Sequence, residues 1–409
     1  MSGSPRGAGR LVEWLDGRGQ GRDHLLDGLR GLAILLVLLR HGAPTTFPGA
    51  GILGVDLFFV LSGWLITSLL VRDWHRTGTL RLGRFFAHRA RRLLPALYAM
   101  FAVVLLATVA LGSDPRTVGL DALFATTYSF NLASYAGVAV GNGPLWTLST
   151  EEQFYAVWPV VLIVLIRFRR TVRAAFATAC ALVVVVAVVR SVSYARVGSR
   201  VYVLPTTWAD ALLAGAALAL AAQAWPDGWR RVGRVVGRWP VQALCWAAAL
   251  GSVAVPDLKD GSLTYTLGLP LLAAAIVGIL WGVLARPLPV VALVLSRPEV
   301  LALGAISYSL YLYNYLVFQY LIQHHVSTPV TVVVGSALSV TVAIASRRWV
   351  EVPGMRLGRG RVPVAASPSP APRNGGRMGA WLTNTTSSDA FTTSSSPSTD
   401  SAPSSRPVS

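Results

Sequence analysis

The stretch LLDGLRGLAILLVLLRH, residues 25–41, reads as a membrane-spanning helix, yet it carries ionisable side chains at Arg30 and His41. Eleven residues correspond to about 1100° of helical rotation, within about 20° of three full turns, so both side chains lie on one face. Their separation along the axis is about 16 Å. Because ionisable groups are costly in a bilayer, two of them on one stripe indicate a functional site. The alternative is that Arg30 extends to the headgroups and His41 merely ends the span.

The composition places the chain among multi-pass membrane proteins. Of its 409 residues, 53% are hydrophobic and 13% are charged, and the mean hydropathy is +0.54. The pattern predicts an all-α bundle of about ten transmembrane spans. The predicted spans are residues 25–43, 51–71, 93–111, 145–166, 174–189, 206–224, 240–255, 264–285, 300–322 and 330–346.

The net charge of +18 has a topological explanation. Lys and Arg alternate between the stretches that join the spans, with 26 on one side of the membrane and 5 on the other. By the positive-inside rule, both termini are predicted to be cytoplasmic in a multi-pass protein of the cell membrane. Because membrane topology explains the basic residues, they do not indicate nucleic-acid binding, and we expect no nucleic-acid partner.

The chain divides into three predicted parts. Residues 1–24 form a polar cytoplasmic segment, and residues 25–355 form the membrane domain, whose first span acts as a signal anchor. Residues 363–409 are rich in Ser, Thr and Pro and are predicted to be a disordered tail. The two cysteines, Cys180 and Cys245, lie in apolar runs, so neither a disulfide framework nor a metal site is expected.

Two acidic positions are predicted to lie at the depth of His41. Asp56 in GVDLFF, residues 54–59, and Glu151 in STEEQFY, residues 149–155, each follow the start of a span that enters from the outer side. A carboxylate beside an imidazole fixes its tautomer and stabilises the imidazolium, as a general base requires. The alternative is that both acids stabilise helix N-termini.

A basic segment, RFFAHRARRLLP, residues 84–95, is predicted to form a cytoplasmic loop before the third span. Clustered guanidinium groups can bind phosphates through paired hydrogen bonds, and the alternative is an anchor on anionic lipid. Arg30 lies on the same side, and its distance to His41 is comparable to the reach of an extended pantetheine arm. A coenzyme A thioester held by the arginines could therefore present its acyl group to the histidine. Such a thioester would be a co-substrate rather than a permanently bound cofactor, and no permanently bound cofactor is expected.

Tyrosines recur in ISYSLYLYNY, residues 306–315, within the ninth predicted span. Their rings suit either helix packing or the lining of a polar cavity in which sugar rings stack on aromatic faces. The sequence leaves both interpretations open.

Four motifs in order resemble the integral-membrane acyltransferase-3 family. They are LDGLRGLA at residues 26–33 with His41, GVDLFFVLSG at residues 54–63, the basic segment, and LWTLSTEEQFY at residues 145–155. The resemblance extends from about residue 26 to residue 353. It implies transfer of an acyl group, acetyl or another short acyl, from acyl-CoA to a hydroxyl of a carbohydrate, an envelope glycan or a glycosylated metabolite.

The resemblance also implies roles for individual residues. His41 is the expected base and Arg30 its signature partner, with Glu151 or Asp56 orienting the imidazole. Whether His41 takes only a proton or carries the acyl group is left open. The donor would be bound by Arg89, Arg91 and Arg92 together with Arg30, and the acceptor by Trp146, Glu152, Tyr155, Tyr313 and Asn314.

Three positions depart from the family pattern. His88 replaces an arginine of the basic motif, Asn314 replaces a common histidine, and Val352 replaces an arginine near the end of the domain. The alternative function is a transporter or flippase for lipid-linked sugars, which also needs charges inside the membrane. The chain shows no inverted repeat of the kind found in many transporters, which weighs against that alternative.

Overall fold

The computed structural model describes residues 23–79, 82–141, 143–169, 171–256 and 258–356. These residues form helices and connecting turns and contain no β-strand, which confirms the predicted all-α class. The predicted tail, residues 363–409, and residues 1–22 of the predicted N-terminal segment lie outside the described residues.

Each predicted span coincides with a helix. In chain order the helices are α1 (Asp23–Gly42), α2 (Ala50–Thr77), α3 (Leu82–Ala110), α4 (Arg116–Thr126), α5 (Phe130–Tyr135), α6 (Leu145–Arg169), α7 (Val172–Val197), α8 (Pro205–Ala224), α9 (Pro226–Val236), α10 (Trp239–Gly251), α11 (Leu269–Ala285), α12 (Pro289–Leu295), α13 (Pro298–Gln323), α14 (Thr328–Ser346) and α15 (Val352–Arg356). Short 3₁₀ turns follow α7 and α10, and π-helical turns precede α11 and follow α14.

Eight of the described helices are long and apolar enough to cross a membrane. Two predicted spans differ from these eight. Helix α1 carries the charged residues Asp27, Arg30 and Arg40, and α10 has only 13 residues. Together they account for the ten predicted segments, and the chain is a multi-pass membrane protein.

Helices α2 and α8 form the centre of the bundle. In their most apolar stretches 67% and 72% of residues are buried, against 11% in the span that begins with α7, which is therefore placed to face lipid. A Cβ atom on Gly63 of α2 would collide with the carbonyl oxygen of Leu212, and one on Gly215 of α8 with that of Val60. Small residues allow close approach of two helices, as is typical of membrane bundles.

A similar crossing joins α1 to α13. A Cβ atom on Gly31 would collide with the carbonyl oxygen of Val300, and one on Gly304 with that of Asp27. The close approach continues along α1 to Gly42, where a Cβ would lie 2.9 Å from the Phe318 ring of α13. Helix α1 is thereby held against α13 along the length that separates Arg30 from His41.

The basic segment is helical, so its prediction as a loop was wrong. Helix α3 begins at Leu82 and continues through Pro95 to Ala110, with residues 84–95 in its first turns. Arg, Ala and Leu are strong helix formers, and they outweigh the local disruption by a single proline. The arginines therefore have fixed helical phases, and some of them are directed into the bundle.

We predict that Gly304→Ala destabilises the bundle, since the added methyl group overlaps the Asp27 carbonyl in a helix pair that cannot separate without losing its packing. The expected loss is about 1–3 kcal/mol, measurable as a lower unfolding temperature in detergent. Gly119→Ala is the control, because nothing lies within 4 Å of a Cβ at that position of α4. Equal unfolding temperatures for the two variants would contradict the close crossing.

Candidate active site

The imidazole of His41 lies at the end of α1, half-buried against α13. Its Nδ1 atom forms a short hydrogen bond with Oδ1 of Asn314. The ring of Tyr315 packs edge-on against it, with 5.4 Å between ring centroids. The polar partner of the candidate base is thus a side-chain amide from the ninth predicted span, the same position that departs from the family pattern.

The orientation of the Asn314 amide is fixed by its own backbone contacts. Its Nδ2 donates to the carbonyl oxygens of Leu310, at 2.7 Å, and Tyr311, at 2.9 Å. Since carbonyls only accept, the nitrogen must face them and the oxygen must face His41. An amide oxygen also only accepts, so Nδ1 of His41 carries the proton and donates it. Nε2 is then left with its lone pair, which is the state a general base needs.

Helix α6 starts beside this site. Tyr311 Oη lies 2.6 Å from Oγ1 of Thr147 and donates to the carbonyl oxygen of Pro144 at 3.0 Å. The first turn of α6 is therefore level with the middle of α13. Each further turn of α6 lies farther from His41 and closer to the opposite end of α1.

That opposite end contains a cluster of charged side chains around Arg89 of α3. Arg89 donates through Nε to Glu152 at 2.8 Å, forms an ion pair with it at 2.6 Å, and stacks on the Tyr155 ring at 3.8 Å. A second carboxylate, Glu151, lies 3.9 Å away. Arg89 is thus held by two carboxylates and an aromatic face. The predicted acceptor residues Glu152 and Tyr155 contact this arginine.

Glu151 does not approach His41, so its predicted role in orienting the imidazole was wrong. Its carboxylate accepts a hydrogen bond of 2.7 Å from Ser62 of α2 and lies beside Arg89. The sequence-based depth assumed that α6 begins at the membrane surface. Since α6 begins at the level of Tyr311, Glu151 lies six residues, about 1.7 turns, beyond that level.

The chain before α6 explains the deep start. Gln153 donates to the carbonyl oxygen of Tyr128 at 2.8 Å, Asn131 donates to Gln153 at 2.9 Å, and the Phe130 amide donates to Ser149 at 3.2 Å. Residues 128–131 thus pack beside the second turn of α6. The segment that joins α3 to α6 folds inward along the bundle.

Asp56 also fails to reach His41, which corrects the second predicted partner. It is 2% exposed and interacts electrostatically with Asp210 of α8 and Arg190 of α7. On α2, Asp56 shares the helical face of Val60 and Gly63, which packs on α8, whereas Gly54 contacts α1. The two faces differ by about 200°, so the carboxylate is directed away from the first helix.

Arg190 and Asp210 form a buried ion pair that the sequence analysis did not identify. Their side chains are 2.7 Å apart, and Arg190 also donates to the carbonyl oxygens of Tyr265 and Thr207. A signal was present, because each is an ionisable residue at or within an apolar span. Arg190 immediately follows the predicted fifth span, so the sequence places it with the basic residues of a connecting stretch.

Three predicted donor-binding arginines differ from Arg89. Arg30 pairs with Asp27 at 3.1 Å, and Arg91 is exposed. Arg92 is partly buried and interacts electrostatically with three arginines, Arg30, Arg89 and Arg347, and with Glu351. Within the described part of the chain no hydrogen bond is formed by the Arg92 guanidinium. Two neighbouring cations, Arg30 and Arg92, therefore form the part of the cluster best suited to an anionic ligand.

The remaining predicted residues have other surroundings. Trp146 packs in the core against Phe59 and Trp208, and Tyr313 lines an apolar groove between α3 and α14 rather than the His41 site. Glu351, the glutamate directly before Val352, accepts a hydrogen bond from Ser309. Among residues 23–356, apart from the undescribed gaps, no group of His, Cys, Asp and Glu side chains is suited to a metal ion.

This arrangement is a helical membrane domain with a histidine at one end of a helix and an arginine cluster at the other. The chain belongs to the acyltransferase-3 family, whose model, described as an acyltransferase domain, matches residues 23–348. The resemblance given by the four motifs, and with it the acyltransferase class, is confirmed.

Two similar proteins are described as enzymes of this class. The peptidoglycan O-acetyltransferase OatA of Listeria monocytogenes is 31% identical over 314 residues, which cover 71% of this chain and 48% of the relative. A Staphylococcus aureus protein provisionally described as an O-acetyltransferase is 29% identical over 358 residues, with 81% and 57% covered. The chain thus spans about half the length of these two relatives. No solved structure matches it significantly.

We predict that Arg89→Gln destabilises the protein, because it leaves Glu151 and Glu152 buried without their cation. The expected loss at neutral pH is about 3 kcal/mol, measured by thermal unfolding in detergent. The double variant Arg89→Gln with Glu152→Gln should recover part of the loss, since amides can pair with each other. An Arg89→Gln protein as stable as the wild type would show that the pair is not structural.

Proposed function

We propose that the protein is a membrane O-acyltransferase that moves an acetyl or another short acyl group from acyl-CoA to a carbohydrate hydroxyl. The observation that carries this proposal is the His41–Asn314 hydrogen bond, which fixes one imidazole tautomer at the end of a helix whose other end adjoins the arginines. The O-acetyltransferase descriptions of the relatives support a hydroxyl acceptor.

In the proposed reaction, Nε2 of His41 removes the proton of an acceptor hydroxyl. The oxygen attacks the thioester carbonyl, the C–S bond breaks, and the coenzyme A thiolate takes the proton back from the imidazolium. Nδ1 remains bonded to Asn314 throughout. A neutral amide orients the ring without neutralising the imidazolium, which distinguishes this site from one with a carboxylate partner.

The donor is proposed to enter from the arginine cluster. Arg30 and Arg92 bind its phosphates, and the pantetheine arm runs along α1 over about 16 Å to the histidine. Arg89 acts as a positioning residue in this scheme, because its guanidinium is already bound by Glu152 and Tyr155. By the positive-inside prediction, this end of the bundle faces the cytoplasm, where acyl-CoA is found.

We predict that His41→Ala lowers kcat for acyl transfer by about 10²–10⁴-fold, the usual contribution of a positioned base. Asn314→Leu should lower kcat less, by about tenfold or more, because the imidazole remains but its tautomer is no longer fixed. Coenzyme A release from acetyl-CoA by the purified protein, with saccharides that include peptidoglycan fragments, measures both effects.

His324→Ala is the control, because it removes an exposed histidine at the same end of the bundle. Full activity in His41→Ala would eliminate the proposed base. If the wild-type protein releases no coenzyme A with any acceptor or thioester, the acyl-CoA proposal itself fails. Rapid-quench labelling with radioactive acetyl-CoA separates direct transfer from an acyl-histidine relay, since a relay that uses His41 leaves no label in His41→Ala.

We predict that Arg92→Gln raises the KM for acyl-CoA by about tenfold, the loss expected for one charge-assisted contact to phosphate. The folding stability should change little, because Arg92 has no fixed hydrogen bond to lose within the described residues. Arg91→Gln is the matched control one position away, where the side chain is exposed. Equal KM values for the two variants would move the donor phosphates away from Arg92.

A further inference from the structure

A second cavity, whose residues have no role in the scheme described above, lies at the end of the bundle that holds His41. Its volume is about 290 Å³, and it lies between the end of α5, the segment that joins α7 to α8, and the segment that joins α10 to α11. Its lining includes the aromatic residues Tyr135 and Tyr202 and the charged residues Arg200, Lys259 and Asp260. Three segments that are far apart in sequence, one helix end and two connections, thus contribute to one polar depression.

The backbone of the loop with Lys259 and Asp260 is fixed by two tyrosine side chains. Tyr265 donates to the carbonyl oxygen of Lys259 at 2.7 Å, and Tyr194 donates to that of Asp260 at 2.5 Å. The two tyrosine rings stack with 4.6 Å between centroids. Since the backbone is fixed by these bonds, the Lys259 and Asp260 side chains are free to line the cavity.

The cations in the cavity are placed over aromatic rings. Lys259 Nζ lies 4.3 Å from the centroid of the Tyr202 ring, and the Arg200 guanidinium lies 5.2 Å from that of Tyr135. Arg200 also donates to the carbonyl oxygen of Tyr135 at 2.7 Å. Two cations and one carboxylate give the cavity a net charge of +1. Aromatic faces bind the apolar faces of sugar rings, a carboxylate accepts from their hydroxyls, and paired cations bind an anionic group.

One residue that lines the cavity, Lys259, connects it to the candidate base. The charge of Lys259 acts electrostatically on the His41 imidazole. The chain between α10 and α11 is also tied to the start of α2, because the amide of Gly49 donates to the carbonyl oxygen of Val253 at 3.0 Å. A ligand bound in the cavity therefore lies on the acceptor side of His41, opposite the arginines proposed for the donor.

We propose that this cavity is the acceptor subsite and that it selects a saccharide with a carboxylate or phosphate group. Arg200 and Lys259 bind the anion, Tyr135 and Tyr202 hold the ring, and Asp260 accepts from a ring hydroxyl. The inference rests on the proposed function, because it assigns the acceptor of that reaction to an anionic class.

The test measures binding to the full chain in phosphatidylcholine nanodiscs by saturation-transfer NMR. The probes are p-nitrophenyl β-D-glucuronide, p-nitrophenyl β-D-glucoside and glucose 1-phosphate. The first two differ only in the carboxylate, and the third distinguishes phosphate from carboxylate. The wild type should bind an anionic probe at least about fivefold more tightly than the glucoside, and Arg200→Gln and Lys259→Gln should each remove about fivefold. Arg116→Gln, an exposed arginine of α4 outside the cavity, should change nothing.

The proposal is overturned if the wild type binds none of the probes or shows no preference for an anion. It is also overturned if the double variant Arg200→Gln with Lys259→Gln keeps the preference, or if Arg116→Gln loses as much. These binding measurements require no acyl transfer, so their outcome is separate from coenzyme A release. A preference without coenzyme A release would leave the anionic site in place and remove its role as acceptor subsite.

Discussion

The ion pair between Arg89 and Glu152 illustrates the constraint on which the rest of the structure depends. Inside a membrane bundle, a charge needs a partner, because no bulk water is available to solvate it. Arg89 meets this requirement with a carboxylate at 2.6 Å and an aromatic face, and Arg190 meets it with Asp210 and two carbonyl oxygens. These contacts tie α3 to α6 and α7 to α8. These charged residues thus hold helices together, and their hydrogen-bonding groups are occupied by those contacts.

This constraint separates structural charges from those available for chemistry. Arg89 would lose its partners if it turned toward a phosphate, whereas Arg92 has no hydrogen bond to give up among the described residues. Among the described residues, His41 is likewise hydrogen-bonded at one nitrogen only, through Asn314, and its second nitrogen has no such partner there. A side chain that is restrained on one side and open on the other is preorganised for a reaction, which is what catalysis requires. The proposed roles follow from this difference in unused hydrogen-bonding capacity.

Helical periodicity predicted the relation between Arg30 and His41, since phase and rise along one helix need no tertiary information. The same reasoning failed for Glu151 and Asp56, for two physical reasons. Depth was counted from the start of α6, but residues 128–131 fold inward and the helix begins at the level of Tyr311. The phase of Asp56 within α2 was readable, but which neighbour covers that face depends on the packing of α2 against α8. Which residues pair between helices depends on tertiary packing, and this cannot be read directly from a single sequence.

The substitution of asparagine at position 314 has a consequence for the charge of the site. With a carboxylate partner, the protonated imidazole would be neutralised, and the free enzyme would favour the imidazolium. With an amide, the imidazole is oriented by a neutral partner that does not neutralise the imidazolium. The positive charge that appears during proton transfer must then be balanced from the substrate side. The developing alkoxide and an anionic group on the acceptor both supply negative charge there, which connects the neutral Asn314 to a cavity that favours an anionic saccharide.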